Sequence, residues 1–299
     1  VTNRRFATRE LERRWSRSWL AMISWQAVLV VGAALAYFGV RGLTERNVAS
    51  ADDNADTILR IERALRIDWE KRLQQVPLDH RAVLDLANWV YIWFHWPLLT
   101  LTLLWLLHAH RSTYVDLRNA MFISGAIGLV IFATFPVAPP RLYSPEFIDT
   151  VTQHSNSYRV LQPPGLTNKY AAMPSFHFGW NLLAGIAWFR VGRGHIWSVA
   201  GVIMPVAMAW ATVATANHWT LDVIVGGSIA LGALGVQRWI ATRRTPSSRD
   251  SSDRDRRDQL EELIQRLIDR LTDQGYVNVA GRPEGQGLRD AAGRADGTT

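Results

Sequence analysis

His218 and Asp222, in the stretch ANHWTLDVIVGG, stand four residues apart. On a helical turn that spacing puts them on one face, where the carboxylate can accept from one imidazole nitrogen and leave the lone pair of the other pointing outward. An imidazole held in that way is a nucleophile or a base. Upstream, NKYAAMPSFHFGW places Ser175 and His177 at the head of an apolar run. If that run is a helix, Ser175 and the N–H groups of its first turn make an anion-binding end. His177, within a turn of that end, can carry a proton to a leaving oxygen. Further upstream, FPVAPPRLYS offers Arg141, whose planar fork matches two phosphoryl oxygens. Two histidines beside one anion, one needing to be neutral and one protonated, is the division of labour expected of a nucleophile and an acid.

Membrane helices have to position these residues. The 299 residues are 48% apolar and carry a formal charge of +7, and the apolar residues are bunched into blocks, as lipid requires and a water-soluble core does not. About 20 mainly apolar residues cross a bilayer. Six segments qualify: Trp19–Val40, Asn88–Leu107, Arg118–Val137, Ser175–Val191, Ile196–Thr215 and Leu221–Ile240. Each should be a helix, because backbone in lipid must satisfy its own hydrogen bonds. The expected fold class is therefore all-α, a polytopic bundle of six transmembrane helices. Trp15, Trp19, Trp89, Tyr91, Tyr170, Trp197, Trp219 and Trp239 lie near segment ends and are expected as interfacial anchors. The first segment reads as a retained anchor, not a cleaved signal.

Six arginines in residues 3–17 argue for a cytoplasmic start, and six spans then return the C-terminus to the same side. Arg111, Arg118, Arg190 and Arg193 fall in the short inside loops. The outside loop from Arg41 to Ala87 runs against the rule with eight basic residues, offset by nine acidic ones. Within that loop, ADTILRIERALRIDWEKRLQQV spaces Ile58, Ile61, Leu65, Trp69, Leu73 and Val76 as one stripe of a juxtamembrane amphipathic helix. The chain thus divides into a basic cytoplasmic arm over 1–18, a membrane catalytic domain over 19–240 and a polar cytoplasmic tail over 241–299. In the tail, Leu260, Leu263, Ile264, Leu267 and Leu271 form a short amphipathic stripe suited to self-association. With no cysteine, disulfides and thiol chemistry are excluded.

Alternation of spans brings the end of the third, the start of the fourth and the start of the sixth to one membrane face, the extracytoplasmic one. Arg141, Ser175 with His177, and His218 with Asp222 meet there. A lone membrane histidine can be merely a hydrogen-bonding residue, but ionisable groups at helix ends that converge on one face point to function. His95, about two turns into the second span, and Lys169, Tyr170 and Asn181 are further candidate substrate contacts; for His95, Lys169 and Tyr170 packing or a helix–helix hydrogen bond is the simpler account.

FPVAPPRL, YAAMPSFHFGW and ANHWTLDVIVGG resemble the type-2 phosphatidate phosphatase superfamily, related to the vanadium haloperoxidases, and more narrowly its inositolphosphotransferase branch, typified by inositol phosphorylceramide synthase. The resemblance runs from about Trp19 to Ile240. It implies a six-helix bundle at the plasma membrane in which His218 attacks phosphorus to give a phosphohistidine. Asp222 would orient that ring, His177 protonate the leaving group, and Arg141 with Ser175 bind phosphoryl oxygens. It implies no metal or other cofactor, and nothing points to nucleic acid.

The departures from the family pattern bear on substrate. The superfamily keeps a Lys seven residues before its first-motif Arg and a Pro after it, where this chain has Thr134 and Leu142. Its third motif opens with Ser-Arg, seven and six places before the histidine, where this chain has Ala211 and Thr212. Two phosphate-binding cations are therefore missing. A phosphomonoester carries nearly two negative charges at neutral pH and a diester one, so the expected substrate is a membrane lipid phosphodiester, with an alcohol or water as acceptor. A lipid or polyprenyl phosphate phosphatase is the alternative within the same chemistry, and a transporter or scaffold the alternative outside it.

Overall fold

The computed structural model describes residues 24–26, 28–33, 35–40, 48–154, 169–192, 194–244 and 261. The chain divides into two units, Val1–Trp239 and Ile240–Thr299. In the second, the described residues are 240–244 and 261, so the stripe expected over Leu260–Leu271 lies outside them, as does the arm over 1–18.

Among the described residues every element is an α-helix, with one isolated parallel bridge between Val137 and Ala171. In chain order they are α1 (Val48–Leu65), α2 (Glu70–Asp79), α3 (Arg81–Trp93), α4 (Trp96–Ala109), α5 (Arg111–Thr134), α6 (Pro140–Tyr143), α7 (Thr150–His154), α8 (Phe176–Val191), α9 (His195–Ala214) and α10 (Thr220–Arg244). Among the described residues three segments are long and apolar enough to cross a membrane: Arg111–Thr134, Ile196–Ala214 and Thr220–Arg243. A fourth arises if α3 and α4, bent by 45° at their junction, count as one broken span. Pro97 explains the bend: it has no N–H to give, and its ring clashes with the carbonyl four residues back, so Phe94 and His95 leave the helix. The helix α8, with 16 residues, and the apolar stretch Ser24–Val40 are shorter than these. Leu101, Leu104, Val130, Val202, Val206, Leu231 and Val236 are exposed on these helices. In water each would forgo a part of the roughly 1.5–3 kcal/mol that full burial gives, whereas against acyl chains it does not, and the chain is a membrane protein.

The expected amphipathic helix of the first loop is two helices. Arg66 takes a left-handed conformation, φ 60°; its N–H bonds the Arg63 carbonyl at 3.2 Å, and the Ile67 N–H reaches the Glu62 carbonyl at 2.9 Å. That pair of bonds closes α1 with a Schellman turn. The buried stripe differs too. Ala51, Ala55, Ile58 and Glu62 of α1 and Glu70, Gln74 and Pro77 of α2 face inward, while Ile61, Leu65, Trp69 and Val76 are exposed. Small residues let α1 lie close on the loops below, so packing selects the alanine face over the larger apolar one. α1 roofs a cluster of Val137, Ala138, Phe147, Ala172, Met173, Ala216 and Trp219. Trp219 and Tyr91, expected as interfacial anchors, are both buried. Each has a partner inside: the Trp219 indole N–H donates to the Ala138 carbonyl at 2.8 Å, and the Tyr91 ring stacks on that of His177.

Candidate active site

Backbone bonds stitch the three motif stretches together beneath the α1 roof. The Val137 N–H donates to the Tyr170 carbonyl at 2.8 Å, and the Ala172 N–H returns to Val137 at 3.2 Å. The Arg141 N–H bonds Ala216 at 3.1 Å, and the Ser175 N–H bonds the Asp222 carbonyl at 3.0 Å. Tight helix crossing makes the last contact possible. A Cβ on Gly226 would lie 2.3 Å from the Ser175 carbonyl oxygen, and one on Gly179 would lie 2.7 Å from the Gly226 oxygen. Only glycine admits the start of α8 so close to α10.

His218 sits two residues before α10 and is 5% exposed. Its Nδ1 lies 2.7 Å from the Ala172 carbonyl oxygen. A carbonyl only accepts, so Nδ1 carries the proton and Nε2 the lone pair. The expected carboxylate–imidazole hydrogen bond is not the main restraint. Asp222 Oδ2 is 3.6 Å from Nδ1, because the same oxygen accepts from the Trp219 N–H at 2.8 Å. Asp222 is fully buried and within ion-pair reach of the ring, so it can steady positive charge there while Ala172 aims it.

His218 Nε2 lies 3.4 Å from His177 Nδ1. His177, in the first turn of α8, is sandwiched between Tyr91, with centroids 4.4 Å apart, and His95, at 4.0 Å. The bend at Pro97 brings His95 here. The ring of Trp180 lies parallel to His95 at 6.0 Å. Ser175 is the N-cap of α8 but makes no capping bond through its side chain. Its Oγ, together with His177 Nε2, His95 Nδ1 and Asn181 Oδ1, is buried without a hydrogen-bond partner. Asn181 Nδ2 donates to the His177 carbonyl at 2.7 Å. Four orphaned polar atoms around one helix N-terminus are groups that a phosphoryl oxygen or an alcohol can satisfy.

Arg141 reaches this region but not with an open fork. Its Nε donates to Asn217 Oδ1 at 2.8 Å and its Nη1 to Asp149 Oδ2 at 3.2 Å. Bidentate binding of phosphate would need Asp149 to yield. Lys169 is exposed, and Tyr170 packs half-buried against the roof. Thr134 is exposed with its hydroxyl on the Val130 carbonyl, and Thr212 is fully buried with its hydroxyl on Ala209. The Thr212 carbonyl takes the backbone N–H groups of Asn217 and His218, so that position supports the histidine from behind. Ala172, Asn217, Asp149 and Tyr91 were not foreseen. Ala172 acts through its backbone and leaves no residue signature. Asn217 adjoins His218, and Asp149 is an acid eight residues after Arg141; either could have been read as a partner.

The family model of the PAP2 superfamily matches residues 56–236, more than half of the chain. No curated protein and no solved structure is similar enough to count as a match.

Proposed function

From the premise that the chain belongs to the PAP2 superfamily, whose members are phosphatases and phosphotransferases acting on phosphorylated lipids and related substrates, we propose that it transfers the phosphoryl-containing headgroup of a lipid phosphodiester, of the phosphatidylinositol kind, through a phosphohistidine. In the first step His218 Nε2 attacks phosphorus. The N–P bond forms, the P–O bond to the lipid alcohol breaks, and His177 protonates the departing oxygen. Phosphorylation leaves the His218 ring cationic, and Asp222 at 3.6 Å offsets that charge. In the second step an alcohol or water attacks, His177 takes its proton, and His218 is released. Facing ring nitrogens 3.4 Å apart leave no room for phosphorus between them, so one ring must turn as the substrate enters.

The observation that carries this reading is the Ala172–His218 bond, since it fixes the tautomer whose free lone pair the attack needs. A diester is favoured because Arg141 already faces a carboxylate, and the places of two further family cations are Thr134 and Thr212. We place the site at the extracytoplasmic face of the plasma membrane with both termini inside, and count residues 19–40 and 175–191 with the other four segments to make six spans.

The test uses the purified chain in lipid nanodiscs with labelled phosphatidylinositol, following free phosphate, inositol phosphate and new lipid. Transfer or release of the inositol phosphate group is expected. His218→Gln should reduce it on the order of a thousandfold or more, with acid-labile, base-stable label appearing on the wild-type protein alone. Turnover by a folded His218→Gln protein overturns the covalent route, and release of phosphate from monoesters alone moves the enzyme to the phosphatase reading.

A further inference from the structure

Outside the three motifs, two acidic residues grip the start of the helix that carries the reactive pair. Glu62 and Glu70 are buried, at 0% and 2% exposure. In a continuous helix, residues eight apart would be separated by about 12 Å along the axis; the Schellman turn at Arg66 folds α2 back so that both carboxyls reach one place. Glu70 Oε1 accepts from the Thr220 N–H at 2.7 Å and from the Thr220 hydroxyl at 2.6 Å. Glu62 Oε1 accepts from the Leu221 N–H at 2.6 Å. With Asp222 on the Trp219 N–H, three consecutive backbone donors are held by three carboxyls. His218 and Asp222 flank the gripped residues.

Burial, and then Glu70 beside it, push the Glu62 carboxyl up to about 9, so it is neutral at physiological pH. Its second oxygen has no hydrogen-bond partner, a state a protonated carboxyl tolerates far better than a buried anion does. The titratable groups acting on it are Glu70 from α2 and Asp222 from α10.

We propose that Glu62 and Glu70 are positioning residues of the phosphoryl-transfer site, a carboxyl clamp on Thr220 and Leu221 that sets the direction of the His218 ring and of Asp222. This inference rests on His218 being the nucleophile. The clamp needs one proton. Glu62 binds it more tightly in the folded chain than in an unfolded one, where the carboxyl titrates near 4.5. The stabilisation is therefore complete below about 4.5 and is lost as pH rises through about 9. Above that, an ionised Glu62 faces Glu70 and Asp222, and the first turn of α10 loosens.

The experiment compares the full-length wild type with Glu62→Gln and Glu62→Ala in nanodiscs, between pH 7 and pH 10. Amide exchange of the segment 219–222, corrected for its intrinsic pH dependence, is read beside kcat and KM for the lipid diester. Glutamine keeps an acceptor for Leu221 and cannot ionise. Glu62→Gln should hold kcat within about twofold at pH 7 and keep both kcat and protection where the wild type loses them above about 9. Glu62→Ala leaves a buried donor bare, and should lose protection at 219–221 and about tenfold in kcat with KM little changed. Unchanged protection in folded Glu62→Ala, or the same alkaline loss of protection in Glu62→Gln as in wild type, overturns the clamp. If alanine does not fold, the glutamine variant alone decides. A wild type that turns over no lipid phosphate sinks the proposed function, while the exchange data still judge the clamp.

Discussion

The proton on His218 Nδ1 goes to Ala172, a residue with no side chain to recommend it, and this has consequences for how the site can be altered. Because the carbonyl aims the ring, Asp222 is freed to serve the backbone of Trp219 as well. The histidines, Asp222, Ser175 and Arg141 were legible as residue types at informative spacings. Their immediate restraints were not, because a backbone carbonyl looks the same at every position and Asp149 reads as one loop acid among several. Asp149 supports a prediction at this scale. It neutralises Arg141 at 3.2 Å, both being mostly buried, and its Oδ1 also accepts from the Thr152 N–H. Asp149→Asn retains an acceptor for Thr152 and releases the guanidinium. A phosphomonoester should gain from the freed charge by about tenfold relative to a diester, the worth of one charge-assisted hydrogen bond of roughly 1.5–3 kcal/mol less its desolvation. Both activities measured on one preparation give the ratio, and an unchanged ratio would mean that Arg141 does not meet the phosphate.

Helices were the easiest features to anticipate, since blocks of about 20 apolar residues have few other uses. Their ends and breaks were harder. Pro97 was visible in the sequence, yet the bend at Phe94–His95 follows only once the proline's lost hydrogen bond is weighed against a long apolar run. The split of α1 from α2 gave less warning, because Arg66 has none of glycine's tolerance for positive φ. The acids of an amphipathic segment are ordinarily assigned to water, and here two of them face inward to a helix terminus that needs acceptors. The crossing of α8 and α10 can be tested directly. Gly226→Ala puts a methyl 2.3 Å from the Ser175 carbonyl oxygen, so the helices must part. A loss of about 1–3 kcal/mol is expected from such overpacking, read as a lower unfolding midpoint in detergent, together with weaker turnover as Ser175 and Asp222 separate. Gly232→Ala, where a Cβ meets nothing within 4 Å, is the control that should leave both unchanged.

Across the whole molecule, the family match ends at residue 236, and the site residues named above all lie between Glu62 and Asp222. Removal of Pro246–Thr299 should therefore leave turnover within about twofold of the full chain, since that polar, charged segment contains none of the named site residues. Turnover of the truncated and full-length proteins at equal folded concentration checks this, and a dead but folded truncation would assign the tail to the catalytic unit. The order in which the site is made is a separate matter. Its stitches are long: 76 positions separate Arg141 from Asn217, and 46 separate Ala172 from His218. At the usual 5–20 residues per second, a ribosome that has placed Arg141 needs roughly 4–15 s more to deliver its partner. Under the proposed mechanism, a chain that holds Arg141, Ser175 and His177 but lacks His218 has no nucleophile. On the mechanism proposed above, biogenesis thus supplies its own safety catch: a half-made chain cannot act on the lipids it is being inserted among, and the site is complete only when α10 arrives.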